Sequence, residues 1–216
     1  EKKINFSVPT GNFGDIYAGY ISKKMGLPIN KLIVATNEND ILKRAINKGD
    51  YKIEKVKETI SPSMDIQVAS NFERLIFDTN LNNELDVKEK MNSLKTKNYF
   101  NLDINQLEKI KKDFIAESLT EKETKKVIKN FYDKFNYILD PHTAVACGVT
   151  DKVKCEGVNI VLATADPCKF PQTINDAINI EAELPKELTY IMLEKEEYKI
   201  MSNKINEIKE YILSKI

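Results

Sequence analysis

The first fifty residues change their hydrophobic periodicity repeatedly, and this change limits the folds that the chain can adopt. Apolar and polar residues alternate across residues 4–8, as in a half-buried strand, and a glycine-containing loop follows. From Asp15 to Gly26 the apolar side chains recur at helical spacing, and a short apolar run follows at residues 32–35. A second helical pattern begins near residue 41. This order predicts a right-handed parallel crossover unit.

The remainder of the chain continues the pattern around a polar central region. The further predicted elements are a helix at residues 66–77, a helix that begins near Pro141, a strand at residues 158–163 and a closing helix at residues 198–212. The closing helix has one apolar face, which fits packing on its own domain or on a second copy. We expect one α/β domain over residues 1–216, with a parallel sheet flanked by helices.

Residues 79–135 form the polar central region, which is rich in Lys, Glu and Asn. Leu107, Ile110 and Phe114 recur there at helical spacing. We therefore predict that this region is a helical insertion of two or three amphipathic helices.

The charge balance argues against two classes of partner. Positive and negative side chains number 33 each, so the chain has no net charge that would attract nucleic acid or an anionic membrane. The apolar runs are also much shorter than a membrane span. We expect a small-molecule ligand, with no nucleic acid and no membrane as partner.

Cysteine and histidine usage limits the metal chemistry. Cys147, Cys155 and Cys168 lack the CxxC spacing, and His142 is the single histidine, so the usual ligands cannot form a closed zinc site. We expect no metal and a reducing, cytoplasmic compartment. The sequence opens at Glu1 without a methionine and enters a strand pattern at once, which we interpret as a cut through a longer chain.

The clearest local motif is the glycine loop between the first predicted strand and the first predicted helix. Residues 10–15 have the sequence TGNFGD. The two glycines allow backbone amides to converge, and the helix amino terminus adds a partial positive charge, so the loop could hold an anion without arginine. On spacing alone, a tight turn without a ligand explains the motif as well.

Five motifs of the chain resemble those of threonine synthases and occur in the family's order. They are FSVPTGNFGDI at residues 6–16, KLIVATNEND at 31–40, SPSMDIQ at 61–67 with SNFERL at 70–75, DPHTA at 140–144 and LATA at 162–165. Residues 80–135 match no motif of the family. The resemblance implies the carboxy-terminal half of an enzyme dependent on pyridoxal phosphate, with the tryptophan-synthase-β-like fold known as fold type II.

The resemblance also implies a reaction. Threonine synthases are carbon–oxygen lyases of threonine biosynthesis that convert O-phospho-L-homoserine and water into L-threonine and phosphate. Their Schiff-base lysine lies in a Phe-Lys-Asp context upstream of the glycine loop, and this chain has no such context. Lys169 precedes Phe170 in the reverse order, so it is not a candidate. We expect that the amino-terminal half of the enzyme is a missing partner and that this segment alone is inactive.

The cofactor contacts follow from the same resemblance. Gly11, Asn12, Phe13 and Gly14 are expected to hold the cofactor phosphate, chiefly through backbone amides. Thr164 is similar to the hydroxyl residue that faces the pyridine nitrogen in the family. An ordinary residue at the end of a strand is the alternative for Thr164.

Candidates for the substrate phosphate lie in a segment where hydroxyls, amides and one arginine crowd together, and at the start of a later helix. They are Ser61, Ser63, Asp65, Arg74 and His142. Arg74 could instead pair with Asp78 on a helix surface. His142 could instead be structural, because it lies in a capping turn.

Two residues depart from the family's pattern. The family usually has histidine where this chain has Asp166, and alanine where it has Cys168. Asp166 could alter the protonation of the ring, although we favour a solvent-facing carboxylate. Cys168 is expected to be a small buried residue, because its local sequence holds no histidine partner.

Two alternatives to threonine synthase activity stay open at the level of sequence. The first is a catalytically silent threonine-synthase-like protein that binds pyridoxal phosphate or a phosphorylated metabolite. The second is a nucleotide-binding module, which requires an acidic ribose-binding residue where the second strand ends. That strand ends in Thr36 and Asn37, with Glu38 beyond.

Overall fold

Residues 3–216 are described by a computed structural model, so the interpretation of Glu1 as a cut end lies outside the described residues. The strands are β1 (Ile4–Pro9), β2 (Ile29–Thr36), β3 (Asp50–Lys52), β4 (Tyr99–Asn101), β5 (Phe114–Ser118) and β6 (Val158–Val161). A parallel four-stranded sheet has the order β5-β2-β1-β6, and β3 pairs with β4 in antiparallel orientation.

Helices connect and cover these strands. They are α1 (Gly14–Lys24), α2 (Ile41–Lys48), α3 (Phe72–Thr79), α4 (Glu84–Lys97), α5 (Ile104–Asp113), α6 (Glu121–Phe135), α7 (Pro141–Val153), α8 (Pro171–Ile178) and α9 (Ile205–Leu213). Short 3₁₀ helices lie at Pro62–Met64, Pro167–Lys169 and Lys186–Leu193. The described chain divides into a unit that ends at Ala182 and a second unit from Glu183 to Ile216. Each helix of residues 3–216 is too short or too polar to cross a membrane.

The side chains of β2 alternate between hydrophobic cores on the two faces of the sheet. Leu32 and Val34 lie in one core, to which the helices α1, α2, α3 and α5 also contribute. Ile33 and Ala35 lie in the other core, with Val145 of α7. Because β2 is buried on both faces, its apolar residues run without polar interruption. The predicted fold class, a parallel sheet flanked by helices, is confirmed.

The central region contains strands as well as helices. Phe114 was expected in a helix, but it begins β5 and pairs with Leu32 of β2. The ring of Phe114 lies 5.6 Å from the ring of Phe13, centroid to centroid. The helical spacing was misleading at Phe114 because its strand partner lies far away in sequence and no local pattern shows the pairing. The boundaries of the helical insertion, residues 79–135, stay a prediction.

The helix predicted at residues 66–77 begins later, at Phe72. The amide of Ala69 donates to the Tyr51 hydroxyl at 2.8 Å, and the amide of Asn71 donates to the Asn12 carbonyl at 3.1 Å. These donors have tertiary partners instead of helical ones, so the segment before Phe72 is irregular.

The two last predicted elements are also shorter than expected. The strand β6 ends at Val161, and it is an edge strand on which Val158 is 46% exposed and Ile160 is 39% exposed. The closing helix begins at Ile205, so Tyr198 and Met201 precede it. In both cases, the apolar pattern in the sequence extends beyond the residues that form the strand or the helix.

Candidate functional site

The loop between β1 and α1 leaves its amides unused. Its entry is fixed, because the Thr10 amide donates to the Ala35 carbonyl at 2.8 Å and the Thr10 hydroxyl donates to the Val8 carbonyl at 2.6 Å. Within residues 3–216, the backbone amides from Gly11 to Ile16 donate no hydrogen bond. They lie at the amino terminus of an 11-residue helix, where amides and the helix dipole both favour an anion.

Phe13 holds this loop in its turn. Its backbone is left-handed, with φ of 67°, which costs a residue other than glycine about 1–2 kcal/mol. Phe13 is 1% exposed, and its ring packs edge-to-face on the ring of Phe72, with centroids 5.2 Å apart. Burial of the ring offsets the strain of the backbone. The role expected for Phe13 therefore concerns its amide, because its side chain lies in the core.

The two glycines of the loop differ in their surroundings. A Cβ atom on Gly11 would lie 2.7 Å from the backbone oxygen of Ser63, closer than real Cβ contacts. A Cβ atom on Gly14 would lie 3.5 Å from Asn71 Nδ2, an ordinary contact, and Gly14 does not have positive φ. Close approach of the 3₁₀ helix Pro62–Met64 therefore requires glycine at Gly11.

A cavity of about 260 Å³ opens beside the loop. It brings together residues that the sequence placed in separate motifs: Gly11, Asn12, Ser63, His142 and Thr164. Asp15, Lys169 and Phe170 also line this cavity, which we call the loop cavity. Its walls combine unused amide donors with hydroxyls and one lysine.

A larger cavity of about 430 Å³ lies between α6, α7 and β6. Phe131, Phe135 and Val161 contribute to its mainly apolar lining, and none of the candidate site residues does. The loop cavity is the candidate site because it holds the unused polar groups.

His142 is buried at the edge of the loop cavity. Its Nδ1 lies 3.1 Å from Asp140 Oδ1, and its Nε2 is buried without a hydrogen-bond partner among the described residues. Its ring lies 5.0 Å from the ring of Phe170. Burial alone would raise the pKa of Asp140, but hydrogen bonds from His142 and Thr143 outweigh it and lower that pKa.

Ser61 and Asp65 belong to a polar network whose hydrogen bonds are satisfied internally. Asn37 Nδ2 donates to Ser61 Oγ at 3.0 Å and to Asp65 Oδ1 at 2.8 Å. The amide of Thr59 donates to Asp65 Oδ2 at 2.7 Å, and the Thr59 hydroxyl donates to Asp65 Oδ1 at 2.6 Å. Asn39 completes this network, which we call the support network. It fixes the segment whose Ser63 carbonyl lies against Gly11.

Arg74 lies outside the loop cavity. It is exposed on α3 and lines a separate cavity with Tyr17 and Phe77. The alternative pairing with Asp78 is not formed either, because Asp78 accepts a hydrogen bond from Tyr20 at 2.5 Å and lies 3.6 Å from Lys24 Nζ.

The segment after β6 carries the two residues that depart from the family's pattern. Asp166 is exposed and accepts a hydrogen bond from the Cys168 amide at 2.9 Å, so it caps the 3₁₀ helix Pro167–Lys169. Cys168 was expected to be buried but is only half-buried. The hydrogen bond to Asp166 raises the pKa of the Cys168 thiol, which disfavours a nucleophilic thiolate.

Similarity to known proteins decides the family. The family model described as "Threonine synthase, C-terminal" matches residues 143–212. The threonine synthase of Saccharomyces cerevisiae is 45% identical over 197 residues, which is 82% of this chain and 38% of the yeast protein. That of Pseudomonas aeruginosa is 36% identical over 216 residues, 98% of this chain and 46% of its own. The chain belongs to the threonine synthase family.

The threonine synthase likeness extends to the structure. The crystal structure of threonine synthase from Brucella melitensis with bound pyridoxal phosphate matches with a TM-score of 0.90 at 42% identity. The match covers 98% of this chain and 46% of that one. The chain therefore corresponds to the carboxy-terminal part of threonine synthases and spans less than half the length of these relatives.

Sequence reasoning missed two contributors to the loop cavity and its support. Asp140 orients His142, and the side chain of Asn37 ties Ser61 to Asp65. The Asp-Pro-His order at a predicted helix start was a usable indication for Asp140, since aspartate before a first-turn proline caps helices. No local pattern indicates the long-range contacts of Asn37.

Proposed function

We propose that this chain is the carboxy-terminal part of a threonine synthase that uses pyridoxal phosphate to convert O-phospho-L-homoserine and water into L-threonine and phosphate. The loop cavity supplies the phosphate-binding side of the cofactor site. The amino-terminal half, with the lysine that binds the cofactor covalently, is the partner that completes the enzyme. A cytoplasmic location stays a prediction.

One observation carries this proposal: the amides from Gly11 to Ile16 are unused, and Gly11, Asn12 and Asp15 of this stretch line a cavity that Thr164 also lines. A phosphoryl group needs several donors, and helix amino termini supply them through the backbone. The chain has few arginines, and the exposed Arg74 lies elsewhere, so backbone donation matches the residues that are present. The loop thus fits the phosphate of the cofactor.

Pyridoxal phosphate, when bound, supplies an electron sink for bonds broken next to an amino-acid nitrogen. The side chains of this chain would orient that group. Residues 11–14 would hold its phosphate, chiefly through their backbone amides, and Thr164 would offer the ring nitrogen a neutral hydroxyl instead of a full negative charge.

The substrate phosphate requires a second set of donors. Ser63 is exposed in the loop cavity and Lys169 lines it as well, so both are available to an anion. Ser61 and Asp65 act indirectly, because their polar atoms are already used in the support network. We assign them to the wall that positions Ser63.

Cofactor binding is tested by titrating the chain with pyridoxal phosphate and, in parallel, with pyridoxal. We expect saturable binding of the phosphorylated form, displaced by inorganic phosphate, and much weaker binding of pyridoxal. Asn71 contacts the loop from outside the cavity, so Asn71→Ala provides a comparison variant for Asn12→Ala. Equal affinity for the two ligands would contradict the phosphate-loop assignment.

The reaction is tested by supplying the amino-terminal part that the relatives have and this chain does not span. Mixed or co-expressed with that part of the Pseudomonas aeruginosa relative, the chain should release phosphate from O-phospho-L-homoserine. Thr164→Ala should lower turnover more than cofactor affinity. Cofactor binding without phosphate release in a correctly assembled complex would favour the catalytically silent alternative.

A further inference from the structure

Asn71 lies at the N-cap position of α3 but does not cap the helix. Asparagine is favoured at this position because its side-chain oxygen can accept from the amides of the first turn. No such hydrogen bond is formed among the described residues. Instead, Asn71 Nδ2 and the Asn71 backbone amide both donate to the Asn12 carbonyl, each at 3.1 Å. One residue thus uses two donors to hold a single carbonyl of the glycine loop.

The Asn12 carbonyl shares its peptide unit with the Phe13 amide. Residues 3–216 contain no cis peptide bond, and in a trans unit the C=O and N–H bonds point in opposite directions. The Phe13 amide therefore points away from Asn71, and it is one of the loop amides without an acceptor in the described chain. Asn12 lines the loop cavity and Asn71 does not, so Asn71 holds the loop from outside the cavity.

The backbone of Phe13 opposes this orientation of the peptide unit. Its φ of 67° is disfavoured for a residue other than glycine. A half-turn of the unit between Asn12 and Phe13 would bring φ into the favoured negative range and leave the two Cα atoms nearly in place. It would also exchange the N–H and C=O bonds, so an acceptor would lie where the loop now offers a donor. The hydrogen bonds from Asn71 oppose that half-turn.

We propose that Asn71 is a positioning residue of the glycine loop, which by holding the Asn12 carbonyl keeps the Phe13 amide available to a phosphoryl group. This inference rests on the proposed function, in which the loop receives the phosphate of the cofactor. Asn71 itself does not touch the ligand. The assignment gives the SNFERL motif at residues 70–75 a part in the site, although Arg74 of the same motif lies outside the loop cavity.

An ordinary structural role is the alternative for Asn71, since the residue joins the start of α3 to the loop where the rings of Phe13 and Phe72 pack. A structural contact stabilises the chain whatever ligand it meets, whereas a positioning contact affects only ligands that carry a phosphoryl group. Two observations favour positioning. The side chain does not form the helix cap, and its donor meets a carbonyl whose peptide unit is turned against the backbone preference of Phe13.

The first test measures the binding of pyridoxal phosphate and of pyridoxal, which lacks the phosphoryl group. Asn71→Ala removes one of the two donors to Asn12, so the affinity for pyridoxal phosphate should fall roughly 3- to 10-fold, the effect of one neutral hydrogen bond. The affinity for pyridoxal should stay unchanged. Asn47 Nδ2 donates to the Ala116 carbonyl at 3.0 Å outside the loop cavity, so Asn47→Ala is the matched control and should change neither affinity.

The second test measures the orientation of the peptide unit by NMR without ligand. A positive φ brings the Hα of a residue close to its own amide hydrogen, which gives a strong nuclear Overhauser effect. We expect a strong effect at Phe13 in the unaltered chain and in Asn47→Ala, and a weaker one in Asn71→Ala and Asn71→Asp. Aspartate keeps the shape of asparagine and suits a helix start, so the fold is retained, but its ionised carboxylate cannot donate.

The outcomes distinguish this inference from the proposed function. Equal affinities of the unaltered chain for pyridoxal phosphate and pyridoxal would overturn the phosphate loop and this inference with it. The inference alone is overturned if Asn71→Ala keeps the full preference for pyridoxal phosphate, or if the Phe13 signal is unchanged in both Asn71 variants. Equal losses of affinity for the two ligands in Asn71→Ala would show a general structural contact and would overturn it as well.

Discussion

The support network and the loop cavity both take residues from the segment 61–65, but the polar groups of the network are bonded to one another whereas those of the cavity are not. In the support network, the Asp65 carboxylate accepts from Asn37, Asn39 and Thr59. In the loop cavity, the amides from Gly11 to Ile16 and the Nε2 of His142 have no partner among residues 3–216. Both regions are polar, so polarity alone does not distinguish a binding site from a scaffold.

The difference lies in the hydrogen bonds that each region leaves unmade. A satisfied cluster stabilises the fold whether or not a ligand is present, while an unsatisfied cluster at a cavity gains its partners only from a ligand. Substitutions in the support network should therefore lower the stability of the fold, whereas substitutions in the loop cavity should weaken ligand binding.

The largest effect is expected for Asp65→Ala in the support network. Removal of the carboxylate leaves the donors of Asn37, Asn39 and Thr59 without an acceptor, and each such group costs about 1–3 kcal/mol when buried. We expect the free energy of unfolding to fall by roughly 2–5 kcal/mol in urea denaturation. Ser63→Ala, in the same segment but exposed, should change it little. Comparable values for the two variants would remove the distinction between the regions.

A smaller effect is expected for Gly11→Ala, which acts where the two regions meet. The added Cβ would lie 2.7 Å from the Ser63 oxygen, so backbone must shift at a cost of about 1–3 kcal/mol. Gly14→Ala is the matched control, because its Cβ would meet Asn71 Nδ2 at 3.5 Å. Thermal unfolding should show a loss only for Gly11→Ala, and a loss of the same size for Gly14→Ala would argue against the close approach.

The third prediction concerns the stability of the chain at acid pH. The pKa of Asp140 is lowered in the folded chain, since the hydrogen bonds from His142 and Thr143 outweigh the opposing effect of burial. Its contribution to stability is therefore present above the unfolded pKa of about 4 and is lost as pH falls through the folded value. Asp140→Ala should cost about 1 kcal/mol at pH 7, as loss of a helix cap does. That difference should shrink below pH 4 in denaturation measured across pH, and a constant difference would contradict the assignment.

The smallest effect on stability is expected for Asn12→Ala in the loop cavity. Asn12 is exposed, and only its backbone carbonyl takes part in a hydrogen bond among the described residues. We expect a change below about 0.5 kcal/mol in the free energy of unfolding. Binding of pyridoxal phosphate should be weaker, because the side-chain amide of Asn12, which lines the loop cavity, is removed as a donor. Unchanged binding and a large loss of stability would reverse the roles assigned to the two regions.

Local patterns were sufficient for some elements and not for others. The alternation that predicts β1 and the helical spacing that predicts α1 are contained within a few residues, so both were found where they were expected. Phe114 was misplaced because its strand partner Leu32 lies far away in sequence. The helix start at Phe72 was misplaced because tertiary acceptors take the amides of the preceding residues.

The same limit applies to the candidate site. The glycine loop was visible as a local motif, and Thr164 was placed by resemblance. Sequence alone could not separate Ser63 from Ser61, although they differ by two positions, because the hydroxyl of Ser61 bonds to Asn37 on a distant strand end. The orphaned Nε2 of His142 was equally invisible, since burial is a property of the folded chain.

The left-handed turn at Phe13 has a consequence for the kinetics of binding. The ring is locked between Phe72 and Phe114, so the chain keeps its bend before any ligand arrives. A ligand that meets a preformed loop does not have to order it, and little conformational entropy is lost at that step. Association should then proceed without a slow isomerisation, and affinity differences among loop variants should be found in the dissociation rate.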